Sequence, residues 1–161
     1  MKRMTFTSRA AAALWLALGM TGAMAEDLAA GKAVFASNCA VCHQAAGQGQ
    51  DGLAPALTTY PGRYASTEAG RKLLAHVVLN GMVGAIENGG KQYNGNMPNF
   101  RALSDAELAD VLNYIASGLP GTAAAGSQPF TADEVKAGRA QSLTPAEVRH
   151  QRADVVKAAG L

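Results

Sequence analysis

The sequence predicts an all-α fold, and three observations support this prediction. Apolar residues recur at helical spacing in several segments. Ser or Thr followed by acidic residues marks several helix starts, and no strand-like alternation of useful length occurs. With 161 residues, the chain has room for one domain and an appendage.

Residues 1–25 are predicted to be a cleavable signal peptide. Positive charges at Lys2, Arg3 and Arg9 precede an apolar run at 10–20. The following Ala-Met-Ala at 23–25 matches the A-x-A cleavage pattern. The run is shorter than the roughly 20 residues that span a membrane, although an uncleaved anchor is the alternative. We therefore expect a mature protein that is exported to the periplasm.

Removal of this leader changes the charge balance of the chain. Three of the 14 basic residues lie in the leader, which leaves 11 basic against 12 acidic residues. The mature chain is thus nearly neutral, and it contains no basic stripe interleaved with aromatic residues. Both features exclude a nucleic-acid-binding protein.

The first predicted helix covers residues 26–38. Glu26 and Asp27 suit its amino-terminal end, where the helix dipole favours acidic side chains. A glycine-rich stretch follows at 44–60 and is predicted to be a loop. It lacks the Gly-Lys-Ser/Thr ending of a phosphate-binding loop.

Two more helices are predicted in the main body of the chain. The second has Ser66 as its cap and stops at Gly81. An irregular loop is expected at 81–98. The third helix begins in the capping box Ser104-Asp105-Ala106-Glu107 and ends at Gly118.

The carboxyl-terminal part, residues 122–161, is predicted to be a linker and a helical extension of a domain at 26–121. Residues 121–128 are small and flexible in composition, as in a linker. Two further helix starts follow, and the last helix has only a thin apolar stripe, so it either folds back on the domain, which we favour, or docks on a partner. The starts are Thr131-Ala132-Asp133-Glu134 and Thr144-Pro145-Ala146-Glu147.

A motif that carries chemistry follows the first helix. Cys39-Ala40-Val41-Cys42-His43 has the C-x-x-C-H pattern of covalent c-type haem attachment, in which two thiols form thioethers and the histidine binds the iron. A redox-active or disulfide-bonded pair and half of a zinc site are the alternatives. Zinc needs four ligands, whereas the chain has two cysteines and three histidines. A thioredoxin-like motif would follow a strand, and none is predicted here.

The body from Asp27 to Leu119 resembles class I cytochrome c. It is particularly similar to small single-haem bacterial cytochromes and to the haem domains of oxidase and dehydrogenase electron-transfer subunits. The resemblance implies a cytochrome c fold of three to five helices around one covalently attached haem, with the helical extension added. The matching segments are the haem motif, Val77-Val78-Leu79-Asn80-Gly81-Met82 and Tyr93-Asn94-Gly95-Asn96-Met97-Pro98-Asn99-Phe100.

The resemblance also assigns roles to individual residues. Cys39 and Cys42 would carry the haem, His43 would be the proximal iron ligand and Met97 the distal one. The crossing of the first and last helices of the family fold would pair Gly31 and Phe35 with Tyr114.

The sequence itself offers several candidates for the second iron ligand. Met97 lies in a polar loop beside a proline, where no apolar period would bury it, and methionine is an established distal ligand. Met82 is the competitor and is expected to pack near the haem. His76 lies on a helix and is expected to be an ordinary satisfied side chain, and His150 a solvated one.

Three further residues are predicted to contact the haem propionates. Arg63, Tyr64 and Tyr93 lie in or near the predicted loops and offer the donors that a buried carboxylate needs.

Iron with two protein ligands has no vacant position for a small substrate, so the sequence predicts an electron carrier, not an enzyme. We expect a periplasmic one-electron carrier between a dehydrogenase or quinol complex and an oxidase or peroxidase. Redox proteins would dock on a partly apolar surface at the haem edge. Two alternatives are an electron-transfer subunit of a larger oxidoreductase and a haem enzyme or gas sensor with a labile distal ligand.

Overall fold

Helices dominate the computed structural model, which describes residues 28–122 and 128–160. The predicted signal peptide, the start of the first predicted helix and residues 123–127 of the predicted linker lie outside these residues. None of the described helices is long and apolar enough to cross a membrane. The helices are α1 (28–38), α2 (Ala40–His43), α3 (Pro61–Ala65), α4 (Glu68–Asn80), α5 (Asp105–Asn113), α6 (Ala132–Arg139) and α7 (Pro145–Ala158).

Two short antiparallel strand pairs lie between α4 and α5. Strand β1 (Met82–Val83) pairs with β4 (Asn96–Met97), and β2 (Ile86–Asn88) pairs with β3 (Lys91–Tyr93). The expectation of an irregular loop here was wrong, because strands of two or three residues are too short to show an alternating pattern. The fold remains mainly helical, which confirms the predicted class.

Helix boundaries follow local signals in the chain. Thr67 caps α4 instead of Ser66, and its side chain accepts a hydrogen bond from the Gly70 N–H at 3.1 Å. The predicted stop at Gly81 is confirmed, since this residue has a φ of 73°. The short helix α3 was not predicted, although Pro61 is well suited to its first position.

The first and last helices of the main body cross closely. A Cβ on Gly31 would overlap the backbone carbonyl of Asp110 and lie 2.9 Å from the Cβ of Tyr114. The rings of Phe35 and Tyr114 are 5.4 Å apart and inclined at 57°, a tilted geometry that aromatic pairs favour. Tyr114 begins a π-helical turn, Tyr114–Gly118, that continues α5. The expected pairing of Gly31 and Phe35 with Tyr114 is therefore present.

The extension folds back on the main body. Helix α6 packs on α4 and α5, while α7 packs on α4 and β1. Both predicted capping boxes, at Thr131 and Thr144, are formed. Val135 and Val148 are completely buried, so even the thin apolar stripe of α7 contributes to the core.

Two arginines hold helix α6, one near its start and one at its end. Arg71 of α4 forms two hydrogen bonds with Glu134, at 2.8 and 2.7 Å, and donates to the carbonyls of Gln128 and Pro129. Its guanidinium also lies 4.1 Å from the ring centroid of Phe130, a cation–π contact. From the other side, Arg139 of α6 donates to the Asp105 carboxylate at 2.7 Å.

Substitution of Gly31 tests the helix crossing. We expect Gly31→Ala to lower the free energy of unfolding by about 1–3 kcal/mol, because the added methyl group overpacks the contact with α5. Chemical denaturation of the haem-loaded protein measures this change. Ala30→Ser adds one atom at the exposed neighbouring position and should cost much less. Equal stability of the two variants would contradict a close crossing.

The contact of Arg71 with Glu134 should make stability depend on pH. The hydrogen bond from Arg71 lowers the pKa of Glu134 below its usual value of 4.5. This stabilisation is therefore complete above pH 4.5 and is lost as the pH falls through the lower pKa of the folded state. We expect Arg71→Met to cost about 1–3 kcal/mol at neutral pH and less in acid.

Urea unfolding of the unaltered protein and of Arg71→Met, at neutral pH and in acid, measures this difference. Lys72→Met, which removes an exposed ion pair with Glu68, is the control and should have little effect. An Arg71→Met cost that is independent of pH would show that Arg71 acts through its carbonyl and aromatic contacts and not through Glu134.

Candidate functional site

Nearly all of the predicted site residues line one large cavity. Its empty volume is about 1320 Å³, including the solvent at its mouth. Arg63 does not line it and is exposed. The cavity is otherwise mostly apolar, with Leu57, Leu74, Val77, Val78, Leu112 and Ile115 among its lining residues. The predicted site residues in its wall are Cys39, Cys42, His43, Tyr64, Tyr93 and Met97.

The cysteine motif forms one wall through a tight helical turn. The N–H groups of Cys42 and His43 both donate to the carbonyl of Cys39, at 3.2 and 2.9 Å. Both thiols are free and line the cavity, whereas Val41 between them is 78% exposed. Burial, together with the nearby Cys42 thiol, raises the pKa of Cys39 to about 11. Cys39 is therefore an uncharged thiol at neutral pH.

His43 is buried and its tautomer is set by a backbone group. Its Nδ1 lies 2.9 Å from the carbonyl oxygen of Pro55. Because a carbonyl can only accept, Nδ1 carries the proton and Nε2 keeps its lone pair. Burial also lowers the pKa of His43, although the Pro55 carbonyl opposes this effect. The side chain is thus held in the neutral form that binds metals.

The two candidate methionines occupy opposite positions on one strand pair. Met82 on β1 is the register partner of Met97 on β4, so their side chains share a face, and both line the cavity. Packing separates them. Met97 packs against the apolar cluster that contains Cys39, whereas Met82 packs against the cluster of Tyr64 and α7.

The segment around Met97 is tied to the end of α4. The N–H of Phe100 donates to the carbonyl of Val78 at 2.8 Å. A Cβ on Gly81 would lie within 3.0 Å of backbone atoms of Met97, Pro98 and Asn99. Glycine at this position ends α4 and leaves room for the backbone of the Met97 segment to pass close by.

Several polar side chains also line the cavity. The structure adds Tyr60, Asn88 and Arg152 to the predicted Tyr64 and Tyr93. Arg152 was missed because it belongs to the extension. The sequence did contain a signal that Arg152 faces the domain. Val148, Arg152 and Val155 recur at i, i+4 and i+7, so they share one helix face.

The remaining histidines do not line the cavity. The Nδ1 of buried His76 lies 2.9 Å from the Gln151 Oε1, and His150 is exposed. Within residues 28–122 and 128–160, no three His, Cys, Asp or Glu side chains are grouped to hold a metal ion. The cysteine motif also follows helix α1, not a strand, so the arrangement is unlike that of a thioredoxin motif.

Comparisons with known proteins agree with this geometry. The family model described as Cytochrome c matches residues 28–118. The chain belongs to the cytochrome c family. This cytochrome is 41% identical over 138 residues to a cytochrome c-552 of Thermus thermophilus, a match that covers 85% of the chain and 93% of that relative. A second Thermus thermophilus cytochrome c-552 is 44% identical over 117 residues, with 72% and 89% covered. A cytochrome c6 of Synechocystis is 40% identical over 100 residues, with 61% and 70% covered.

Family membership indicates haem with its iron as the cofactor, electron transfer as the function and redox proteins as partners. The residues of the cytochrome's cavity fit this cofactor: a thiol pair, a neutral imidazole, a thioether and an apolar lining. The match to the first Thermus relative covers 85% of the chain. Even if that match began at residue 1, it would extend beyond residue 118, where the family model ends. Part of the extension is therefore shared with that relative.

Two glycines of the loop at 44–60 test how closely it packs beside His43. Gly49 and Gly52 have φ values of 75° and 77°, so alanine at either site should cost about 1–2 kcal/mol of backbone strain. A Cβ on Gly49 would also lie within 2.7 Å of the backbone around Pro55, whereas one on Gly52 meets nothing within 4 Å. We expect Gly49→Ala to cost about 1–3 kcal/mol more than Gly52→Ala.

Denaturant unfolding of the haem-loaded variants compares the two. If Gly52→Ala proved equally destabilising, the close packing of the loop backbone around Pro55 would be refuted.

Proposed function

We propose that this protein is a periplasmic one-electron carrier with a single c-type haem. Thioether bonds would join the haem to Cys39 and Cys42, and His43 and Met97 would bind the iron. The observation that supports this most directly is that the C-x-x-C-H motif and Met97 line one apolar cavity. When bound, haem supplies an iron centre that gains and releases one electron.

The protein's own contacts hold both proposed ligands in place. The Pro55 carbonyl orients the His43 ring, and the pairing of β4 with β1 fixes the backbone at Met97. If His43 and Met97 both bind the iron, small molecules would find no vacant position there. A soft thioether ligand also favours the ferrous state and raises the reduction potential.

The surface near the cavity supports docking of redox proteins. Val41 and Leu53 line the cavity and are 78% and 42% exposed, so an apolar contact patch lies beside the cofactor site. The nearly neutral mature chain would not be strongly steered by charge. The proposed donors are a dehydrogenase or quinol complex, and the acceptors an oxidase or peroxidase.

Domain organisation and localisation are part of the same proposal. Residues 1–25 would direct export, 26–121 would form the haem domain and 122–161 the linker and extension. Because α7 buries its apolar stripe against α4 and β1, that stripe is not available to a partner. This favours a free carrier over an electron-transfer subunit that docks through its extension.

Carbon monoxide binding tests the proposed ligand set. We expect the absorption spectrum of the dithionite-reduced protein to remain unchanged when carbon monoxide is added, because Met97 would already bind the iron. Met97→Ala should bind carbon monoxide readily and have a lower midpoint potential, since the thioether no longer favours the ferrous state.

Met82→Leu is the matched control, because Met82 lies opposite Met97 in the same strand pair. It should behave like the unaltered protein. Carbon monoxide binding by Met82→Leu but not by Met97→Ala would assign the ligand to Met82. Rapid binding by the unaltered protein would overturn the carrier proposal in favour of a haem enzyme or gas sensor.

A further inference from the structure

Arg152 is distinguished from the other residues that line the cavity by its charge. Among the described lining residues it is the only Asp, Glu, Lys or Arg. It belongs to α7, beyond the segment 28–118 that matches the cytochrome c family. The cation at the cofactor site is thus supplied by the extension.

Several contacts hold the Arg152 guanidinium in place. Its Nη2 donates to the Glu87 carbonyl at 2.8 Å and to the Asn88 Oδ1 at 3.0 Å. Val148 and Val155, one turn to either side on α7, are buried. A guanidinium has five N–H donors, so contacts through Nη2 leave capacity to bind an anion.

Three phenol groups share the cavity with this charge, and Tyr64 interacts with it directly. Tyr60, Tyr64 and Tyr93 also line the cavity. Burial raises the pKa of Tyr64 above its usual value, while the neighbouring Arg152 opposes this effect. Tyr64 is therefore protonated at neutral pH and can donate a hydrogen bond. A cation with phenol donors beside it is suited to a carboxylate that is partly removed from water.

We propose that Arg152 of the extension binds a propionate carboxylate of the haem and thereby raises the reduction potential. This inference rests on the proposed function. A buried carboxylate requires a cationic or hydrogen-bonded partner, and no other described lining side chain is a lysine or arginine. Arg63, the arginine expected from the sequence, is exposed outside the cavity.

The effect on potential follows from charge. Reduction by the donor protein adds one electron to the site, so a nearby positive charge stabilises the reduced state. Without Arg152, the carboxylate is uncompensated and disfavours that electron. The carboxylate would also hold its proton to a higher pH, because the cation that favours its ionised form is gone.

The other titratable groups near Arg152 belong to the segments packed around it and to its own helix. They include the phenols of Tyr60 and Tyr64 and the Arg63 guanidinium on or beside α3, Tyr93 on β3 and the exposed Glu87 carboxylate on β2. On α7 they are Arg149 and Asp154. None of these substitutes for a cation that lines the cavity.

The test is the midpoint potential of the haem-loaded protein measured as a function of pH. We expect Arg152→Gln to lower the potential at neutral pH and to shift the pH-dependent part of the profile to higher pH. Arg152→Lys, which keeps the charge, should restore most of both properties. Arg149→Gln removes a neighbouring charge on α7 that does not line the cavity and should leave the profile unchanged.

Each outcome has a defined meaning. A profile for Arg152→Gln that matches those of the unaltered protein and Arg149→Gln would overturn the carboxylate contact. Failure of Arg152→Lys to restore the potential would also overturn it, because Arg152 would then act only by anchoring Glu87 and Asn88. The carrier proposal is judged separately, by whether the unaltered protein shows a reversible one-electron couple and excludes carbon monoxide.

Discussion

The apolar side chains of this protein pack around a cavity, and the rest of the structure depends on that constraint. One buried cluster contains Phe35, Cys39 and Leu112, and a second contains Tyr64 and Val148. Both clusters contribute to the cavity wall, so neither is complete by itself. A large planar cofactor would join the two clusters into one core, which makes folding and cofactor binding parts of the same process.

Much of the fold could be predicted because its signals are local. The capping boxes at Ser104, Thr131 and Thr144 each depend on residues within one turn, and all three are formed. The haem motif is equally local. By contrast, the short strands β1 to β4 depend on pairing between separate segments, and two or three residues carry no readable alternation. The helix α3 was overlooked because its five residues are too few to show an apolar period, although Pro61 suits its first position.

Most residues of the candidate site could be predicted from the sequence, but its arginine could not. Six of the seven predicted site residues line the cavity, since each lies in or beside a motif or an expected loop. Arg63 does not, and Arg152 from the far end of the chain lines the cavity instead. A charged side chain on a sparse apolar stripe is usually solvent-exposed, and only the docking of α7 on α4 and β1 brings this one inward. The face that Arg152 shares with Val148 and Val155 could be seen in the sequence, but the element on which that face packs is set by long-range contacts.

The position of Arg152 also bears on the order of assembly. The cysteines belong to the first part of the described chain, whereas α7 is its last helix. A chain is made from its amino terminus onward, and contacts between distant segments form late because loop closure opposes them. The thiols can therefore be modified while α7 is still undocked. Docking of α7 on α4 and β1 would then be a late step, in which Arg152 reaches a cavity wall already formed by earlier segments of the chain.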